Sequence, residues 1–397
     1  MMLSNRIKEL EASPIRRLNP YAAEARKNGK KIYPLNIGQP DIKTPNEYKS
    51  AIENYEEKVL SYADSKGIPE LINSFVEYYE KHNMNFTKDD IIITNGGSEA
   101  LLFAFLALFD LGDNVLMPEP YYANYNSFMH IAGVNVTPIT TKAEDDFALP
   151  SKEDILKLVT PKTKAILITN PSNPTGKVYS KEEIYLIKEV ALEKNLYIIA
   201  DEVYREFVYD GLEFTSFAHI EEINDNVVII DSISKRYSAC GSRIGCIASK
   251  NKELMANMLK LAQSRLSVAT LEQIGAANLV NVDENYLKEV NDEYRNRRDV
   301  LYNSLQKMNG VICNNPQGAF YVIAKLPVKD AEKFAIWLLT DFHINNETVL
   351  ITPAESFYAT EGLGRDEVRI SYCTNVEALT KAMYLLEEAL KVYPDKK

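Results

Sequence analysis

Short apolar runs recur through the middle of this 397-residue chain, and stretches with helical periodicity separate them. The runs are rich in isoleucine and valine. They are too short for buried helices but fit strands that are covered on both faces. They lie at residues 91–93, 115–117, 165–168, 196–200, 227–230 and 244–248. Strands that alternate with helices assemble into a mostly parallel sheet covered by helices, so the sequence predicts an α/β fold.

The pattern changes after residue 285. A long charged helical stretch at residues 284–308 leads into a strand-like segment at 318–322, and helix–strand alternation follows. Residues 1–45 contain no complete set of elements, so we expect them to pack on this later part of the chain or on a partner subunit. We predict a large domain at residues 46–285 and a smaller α+β domain built from residues 1–45 and 286–397.

Composition argues against several classes of function. The net charge is −11 and the isoelectric point is near 5.1, which does not suit binding to a nucleic-acid backbone. The longest apolar stretch, residues 100–109, is too short to span a membrane, and residues 1–12 lack the apolar centre of a signal peptide. The cysteines form no CxxC pair and the histidines show no metal-ligand spacing. We therefore expect a cytoplasmic, metal-free protein that binds neither nucleic acid nor membrane.

Polar segments follow five of the predicted strands. They are residues 94–98, 118–122, 170–176, Asp201 and residues 232–235. The carboxyl ends of parallel strands meet at one edge of a sheet, and ligands of such sheets bind outside that edge. Repeated placement of polar segments at the same edge predicts a functional site there.

The residues at this edge suit one kind of cofactor. Lys235 follows a strand, with Ser232 and Ser234 beside it and Arg243 eight residues downstream. Such a lysine can form a Schiff base next to an anion pocket. Asp201, at the end of another strand, can hold a pyridinium nitrogen. This is the chemistry of pyridoxal phosphate (PLP), in which the protein tunes an electron sink that the cofactor provides. An isolated surface lysine is the alternative, and these surroundings argue against it.

Two further segments suit an anion and a ring. Gly97 and Ser98 open a predicted helix directly after a strand, where backbone amides point at an anion, although a glycine pair here can also be a simple turn. Prolines and a glycine fix the loop at residues 170–176, so that Asn173 can present a rigid amide. Tyr204, three residues after the aspartate, would point the same way if a helical turn begins there.

With these residues, the chain resembles the class I aminotransferases of the aspartate aminotransferase superfamily, which have the fold type I PLP architecture. The resemblance runs from LNIGQPD at residues 35–41 to RISY at residues 369–372. The segment SISKRYSACGSRIG at residues 232–245 matches the lysine signature of the family at every fixed position. The resemblance implies an enzyme that moves the α-amino group of an L-amino acid to a 2-oxoacid, such as 2-oxoglutarate, by a PLP ping-pong mechanism. It places the cofactor in the large domain.

The resemblance assigns the catalytic roles to Lys235, Asp201 and Tyr204. Lys235 corresponds to the lysine that forms the Schiff base, and Asp201 to the aspartate that keeps the pyridine nitrogen protonated. Tyr204 and Asn173 correspond to residues that hydrogen-bond the ring oxygen. Tyr122 corresponds to the aromatic residue that stacks on the ring.

The resemblance also implies how the phosphate is held. The corresponding phosphate ligands are Gly97, Ser98, Ser232, Ser234 and Arg243. Tyr62 corresponds to a tyrosine that reaches the phosphate from the neighbouring subunit, so the resemblance implies a homodimer with composite active sites. Arg369 corresponds to the arginine that clamps the substrate α-carboxylate, with help from Asn173 and the backbone of Gly38.

The side-chain specificity stays open between two alternatives. Residues 263–273 read QSRLSVATLEQ where many relatives carry a Ser-Asn-Pro turn, and Ser242 replaces a bulky residue. Arg265 falls near the arginine that, in some aspartate enzymes, crosses from the partner to bind the distal carboxylate. The alternative for Arg265 is an ordinary interface or surface arginine. A pocket lined by Tyr21 or Tyr125 would instead accept aromatic or small apolar donors.

Two other functions are compatible with this scaffold. One is a different fold type I PLP enzyme, such as a carbon–sulfur lyase or a synthase that forms a cyclopropane carboxylate. The other is a non-catalytic binding module that keeps only the fold. The other PLP enzymes would share the cofactor residues, but nearly the whole class I pattern is present, which favours the aminotransferase. The intact set of Lys235, Asp201 and Arg369 argues against the non-catalytic module.

Overall fold

A computed structural model describes residues 3–10 and 12–397 of the chain. The strands are β1 Lys31–Pro34, β2 Ile91–Asn95, β3 Asn114–Glu119, β4 Asn135–Thr140, β5 Thr163–Thr169, β6 Tyr197–Asp201, β7 Val227–Ser232, β8 Ile244–Ala248, β9 Ile312–Cys313, β10 Tyr321–Lys325, β11 Glu347–Leu350, β12 Thr352–Pro353 and β13 Glu367–Ser371. The helices are α1 Asn5–Glu9, α2 Asn19–Lys27, α3 Asn46–Glu53, α4 Pro69–Lys81, α5 Gly96–Leu108, α6 Tyr125–Ala132, α7 Lys152–Leu158, α8 Lys181–Lys194, α9 Ile233–Arg236, α10 Lys252–Ser264, α11 Thr270–Ala277, α12 Glu284–Leu305, α13 Ala331–Thr340 and α14 Val376–Val392.

The larger sheet has seven strands in the order β2-β8-β7-β6-β5-β3-β4. Strand β8 runs antiparallel to both of its neighbours, and the other pairs are parallel. Five of the predicted apolar runs lie within these strands, and the run at 196–200 begins one residue before β6. The predicted α/β fold with a mostly parallel sheet is confirmed. The sequence pattern missed β4, because this edge strand mixes polar residues and a proline with its apolar ones and is only half buried.

The strands of this sheet are buried on both faces. In β7, Val227 and Ile229 belong to the apolar cluster on one face, whereas Val228 and Ile230 belong to the cluster on the other. This alternation follows from the two-residue period of a strand. Each fully buried side chain of this kind contributes about 1.5–3 kcal/mol of apolar burial. The sheet is therefore a rigid platform for the residues at its carboxyl edge.

The later part of the chain forms a second core. Strands β12, β13, β10 and β9 make an antiparallel sheet, and α12 packs on α14 beside it. Near the N-terminus, β1 pairs in parallel with β11, with Lys31 opposite Glu347. The domain boundaries at residues 45/46 and 285/286 stay a prediction. Among the described residues, no helix is long and apolar enough to cross a membrane, and no cluster of His, Cys, Asp and Glu suits a metal ion.

Candidate active site

A cavity of about 240 Å³ opens at the carboxyl edge of the larger sheet and reaches β10 and β13 of the smaller one. The predicted site residues in its wall are Gly38, Gly97, Ser98, Tyr122, Asn173, Asp201, Tyr204, Ser232, Ser234, Lys235, Arg243 and Arg369. The fold thus brings together residues that are far apart in the sequence. Tyr62 and Arg265 do not line this cavity of their own chain.

Lys235 projects into the cavity from a single helical turn, α9. Strand β7 ends at Ser232, whose Oγ atom caps α9 by accepting a hydrogen bond from Ser234 N at 3.1 Å. The same Oγ donates to Ser234 Oγ at 2.7 Å or to Ile244 O at 2.8 Å. The Nζ atom of Lys235 donates to Gly38 O at 2.9 Å. A short capped turn of this kind holds the amine at a fixed place above the strand end.

Buried ion pairs anchor the opposite side of α9. Asp231 Oδ1 accepts a hydrogen bond from Arg236 Nη1 at 2.7 Å, and Oδ2 accepts from Arg205 Nη1 at 3.0 Å. Burial by itself would raise the pKa of Asp231, but the Arg236 and Arg205 guanidiniums outweigh it and lower the pKa to about 2. Removal of one partner from such a buried network costs about 3–5 kcal/mol. This network therefore fixes the orientation of the turn that carries the lysine.

Asp201 ends β6 and is 6% exposed. Its Oδ2 atom accepts a hydrogen bond from Tyr125 Oη at 2.6 Å, and its Oδ1 atom accepts one from Val203 N at 3.4 Å. Burial raises the pKa of Asp201 from its ordinary 3.8 to about 6. Within residues 3–10 and 12–397, no cation forms an ion pair with this carboxyl. A protonated ring nitrogen would supply the missing positive charge, so the carboxyl fits the pyridine nitrogen of PLP.

The turn between β2 and α5 forms a cradle for an anion. Gly96 adopts a φ of +73°, and helix α5 begins there with the backbone amides of Gly97 and Ser98 in its first turn. Gly245 of β8 approaches so closely that a Cβ atom on it would lie 2.8 Å from Gly97 N. Arg243, at a φ of +55°, donates to Asn95 O at 3.4 Å beside this turn. Free amides at a helix start together with a guanidinium suit a phosphate.

Arg369 is 1% exposed and reaches the cavity from β13. Its Nη2 atom donates to Asn36 O at 2.6 Å, and its Nη1 atom donates to Asn173 Oδ1 at 3.1 Å. Its Nε atom is buried without a hydrogen-bond partner among the described residues. An unpaired buried donor costs about 1–3 kcal/mol, which a carboxylate ligand would relieve.

Tyrosines complete the wall around the predicted ring position. The hydroxyls of Tyr204 and Tyr321 lie 3.0 Å apart, and burial raises the pKa of both phenols above the ordinary value, so both stay protonated at neutral pH. A Cβ atom at Gly38 would lie 1.7 Å from the Tyr321 hydroxyl, which explains a glycine there. Tyr122 accepts a hydrogen bond from Asn124 Nδ2 at 2.8 Å. The wall therefore offers protonated hydroxyls beside an aromatic face.

Two supporting residues of the site could not be recognised from the sequence. Tyr321 is a typical strand residue, and nothing in its own segment signals the contact with Tyr204 across 117 positions. Tyr125 was considered only as a wall of an aromatic pocket, whereas its hydroxyl is bound to Asp201. Tyr21 is 41% exposed and lies outside the cavity wall. Tyr125 lines the cavity and Tyr21 does not, and the choice between dicarboxylic and aromatic or small apolar donors stays a prediction.

The two residues outside the cavity have different surroundings. Tyr62 is 83% exposed. Arg265 Nε pairs with Glu99 Oε2 at 3.1 Å, and Arg265 Nη2 donates to Ile93 O at 2.7 Å, both within its own chain. A role for either residue in a partner's site stays a prediction.

Comparison with known proteins gives the family. Residues 30–384 match the class I and II aminotransferases, and the chain belongs to this family. The aspartate aminotransferase of Thermotoga maritima is 33% identical over 98% of this chain and 99% of its own length. The structure of the Thermus thermophilus aspartate aminotransferase with maleate matches at a TM-score of 0.89 and 29% identity, over 98% of this chain and 100% of that one. The structure of an alanine aminotransferase from Pyrococcus furiosus matches at a TM-score of 0.89 and 32% identity, also over 98% of this chain and 100% of that one.

These matches confirm the resemblance inferred from the lysine signature. The chain is an aminotransferase, and its class is that of the PLP-dependent transaminases. The carbon–sulfur lyase and the non-catalytic module are thereby the less favoured alternatives. The names of the relatives differ in the amino acid, since some are named for aspartate and one for alanine.

Proposed function

We propose that this chain binds PLP in the cavity around Lys235 and transfers the α-amino group of a dicarboxylic L-amino acid to a 2-oxoacid such as 2-oxoglutarate. The observation that carries the proposal is that Lys235, Asp201 and Arg369 face one cavity. The Lys235 amine suits the aldehyde of PLP. The Asp201 carboxyl, which has no cation beside it, suits the ring nitrogen, and the buried Arg369 guanidinium suits the substrate carboxylate. Names of relatives support a donor of the aspartate type.

PLP, when bound, supplies an aldehyde that links to amines and a ring that withdraws electrons from the neighbouring carbon. Lys235 Nζ would hold the cofactor covalently and, once the substrate amine has displaced it, would move the proton at the substrate Cα atom. Asp201 Oδ2 keeps a proton on the ring nitrogen, and Tyr125 orients that carboxyl through its hydrogen bond. Tyr204 donates a hydrogen bond toward the ring oxygen. Each role uses an atom that already faces the cavity.

The remaining residues position the two anions. In this proposal the phosphate is bound by two backbone amides, two hydroxyls and one guanidinium. They belong to Gly97, Ser98, Ser232, Ser234 and Arg243. Arg369 binds the substrate α-carboxylate, aided by Asn173 and the backbone of Gly38, and Tyr122 covers the ring. Asn173 is already fixed by its hydrogen bond with Arg369.

The half-reaction tests this function directly. Enzyme loaded with PLP and mixed with excess aspartate, without an oxoacid, should release oxaloacetate and retain the amino group as pyridoxamine phosphate, one equivalent per site. Alanine and phenylalanine serve as comparison donors, and absorbance with mass spectrometry gives the cofactor form. Release of free ammonia with every donor would contradict the proposal and indicate a lyase.

We also propose a homodimer in which Tyr62 serves the partner's phosphate. Tyr62 forms an exposed apolar patch with Val59 and Leu60, which line the same surface pocket and are 69% and 59% exposed. Contiguous exposed apolar residues of this kind mark an interaction surface. A second copy of the chain would cover the patch and bring Tyr62 to a phosphate.

Tyr62→Phe should therefore weaken PLP binding about tenfold, because one hydrogen bond to a charged group is lost, while the dimer persists. Fluorescence titration of PLP measures the affinity, and sedimentation velocity measures the assembly. Tyr384→Phe, at a tyrosine of α14 that is 46% exposed, is the control. A monomer with full activity, or unchanged PLP affinity in Tyr62→Phe, would contradict the composite site.

A cytoplasmic location belongs to the same proposal. Cys240, Cys246, Cys313 and Cys373 are free thiols in the structure. Free thiols persist in a reducing compartment.

A further inference from the structure

An N-terminal turn contributes to the cavity wall through Ser13, Ile15 and Arg16. Arg16 N donates to Ser13 O at 3.0 Å, which closes the turn. Ser13 Oγ donates to Asn124 Oδ1 at 3.3 Å, and Asn36 Nδ2 donates to Ile15 O at 3.3 Å. Asn124 and Asn36 both lie beside the site. Asn124 donates a hydrogen bond to the Tyr122 hydroxyl, and Asn36 O accepts one from Arg369. The turn is thus attached to the site on both sides.

Adjacent arginines in this turn have opposite surroundings. Arg17 Nη2 pairs with Glu332 Oε2 at 2.8 Å, away from the cavity wall. Arg16 lines the cavity, and its guanidinium makes no hydrogen bond or ion pair with any residue in 3–10 or 12–397. Asp201 is the acidic residue in the cavity wall, and its carboxyl is bound by Tyr125. The positive charge of Arg16 is therefore available to a ligand.

The cavity holds more positive groups than the phosphate and one carboxylate need. Tyr122 lies within the electrostatic influence of Arg369, Arg16 and Arg243, which act against the burial that raises its pKa. In the proposed function, Arg243 binds the phosphate and Arg369 the α-carboxylate. Arg16 remains without an anion. A donor with a second carboxylate would supply one.

We propose that Arg16 binds the distal carboxylate of a dicarboxylic amino acid within the same chain and so determines the specificity of the site. This inference rests on the proposed function. Arg16 then binds the distal carboxylate in place of Arg265, because Glu99 and Ile93 O already hold the Arg265 guanidinium. A planar guanidinium can donate two parallel hydrogen bonds to a carboxylate.

The exposure of Arg16 determines the size of the effect. A buried arginine left unpaired would penalise other donors strongly, but water solvates the exposed Arg16 when the donor lacks a second carboxylate. Selectivity therefore comes from a kcat/KM for aspartate that Arg16 raises about 10- to 100-fold, and not from a lowered kcat/KM for alanine. Because the contact is partly screened, the gain should fall as salt concentration rises.

The test uses the PLP-loaded enzyme as wild type, Arg16→Leu, Arg16→Lys and the control Arg17→Leu. In Arg16→Leu, kcat/KM should fall about 10- to 100-fold for aspartate and stay within about twofold for alanine. For Arg16→Lys, kcat/KM for aspartate should lie between those of the wild type and Arg16→Leu, because lysine keeps the charge but lacks the paired donors. Isothermal titration with maleate should show the same order of affinities, and Arg17→Leu should match the wild type.

Three results would overturn the inference. If Arg16→Leu leaves the aspartate preference and the maleate affinity unchanged while the wild type transaminates aspartate, the inference fails and the proposed function stands. If Arg16→Leu lowers activity with alanine as much as with aspartate, the residue only supports the fold of the turn. A wild type that transaminates none of the donors would instead remove the proposed function and the inference with it.

Discussion

Replacement of Lys235 by alanine is expected to lower the rate of transamination at least about 10⁴-fold, while the chain still folds and binds PLP. Lys235 is the lysine in the cavity wall, so the variant has no amine there to hold the cofactor or to move the Cα proton. The variant loses a hydrogen bond to Gly38 O and a long one, 4.0 Å, to Cys240 Sγ, and the buried Asp231 network that anchors α9 is untouched. Stability should therefore change little.

Three measurements separate this role from a structural one. Borohydride reduction of the wild type should fix PLP to the peptide that contains Lys235, and label on another lysine would refute the assignment. Single-turnover rates with aspartate should show the loss in Lys235→Ala but not in Lys181→Ala, a change at an exposed lysine of α8. Methylamine should restore part of the rate, because it returns a primary amine to the cavity. A structural defect would not respond to the amine.

The sequence predicted the framework of the site because that framework depends on local patterns. Strands such as β7 are apolar on both faces, and functional residues come soon after the last apolar position of the strand, as Ser232 and Lys235 do after Ile230. The rule that ligands bind at the carboxyl edge then brings these segments together. The antiparallel direction of β8 did not follow from its composition, since an apolar run has the same pattern in either direction.

Long-range contacts within the site could not be predicted in this way. Tyr125 and Asp201 are 76 positions apart, and Arg369 and Asn36 are 333 apart. A tyrosine on α6 or an asparagine in a loop carries no local signal of such a partner. The same holds for Arg16 and Arg17, which are adjacent and chemically identical in the sequence but differ in what they face. Tertiary packing decides each of these contacts.

Asp201→Asn is expected to have opposite effects on stability and on activity. In the protein without cofactor, burial raises the pKa of Asp201 from 3.8 to about 6. The folded state favours the protonated carboxyl. The contribution of this group to the free energy of unfolding is therefore fully present below pH 3.8 and is lost as pH rises through about 6. At pH 7 the buried charge costs up to about 3 kcal/mol. Asparagine removes that charge, so the cofactor-free variant should be more stable at pH 7 by up to that amount.

Urea unfolding of cofactor-free wild type and Asp201→Asn at pH 4 to 7.5 measures this difference. The gap should be near zero at the lowest pH and widen as pH rises. Loss of one Tyr125 hydrogen-bond acceptor is common to all pH values and does not change the trend. Asp145→Asn, at an exposed carboxyl that forms no ion pair with any described residue, is the control. A gap that is constant with pH would show that the carboxyl stays ionised without cost.

With PLP bound, the same substitution should slow transamination at least about 10²-fold and weaken PLP binding, because a neutral amide no longer holds the proton on the ring nitrogen. The ring then withdraws fewer electrons from the Cα atom, so the effect falls on kcat more than on KM. PLP should also raise the melting temperature less in the variant than in the wild type. A near-wild-type kcat would mean that another group protonates the ring. A slower but more stable protein would show that the buried charge of Asp201 is kept for function at the expense of stability.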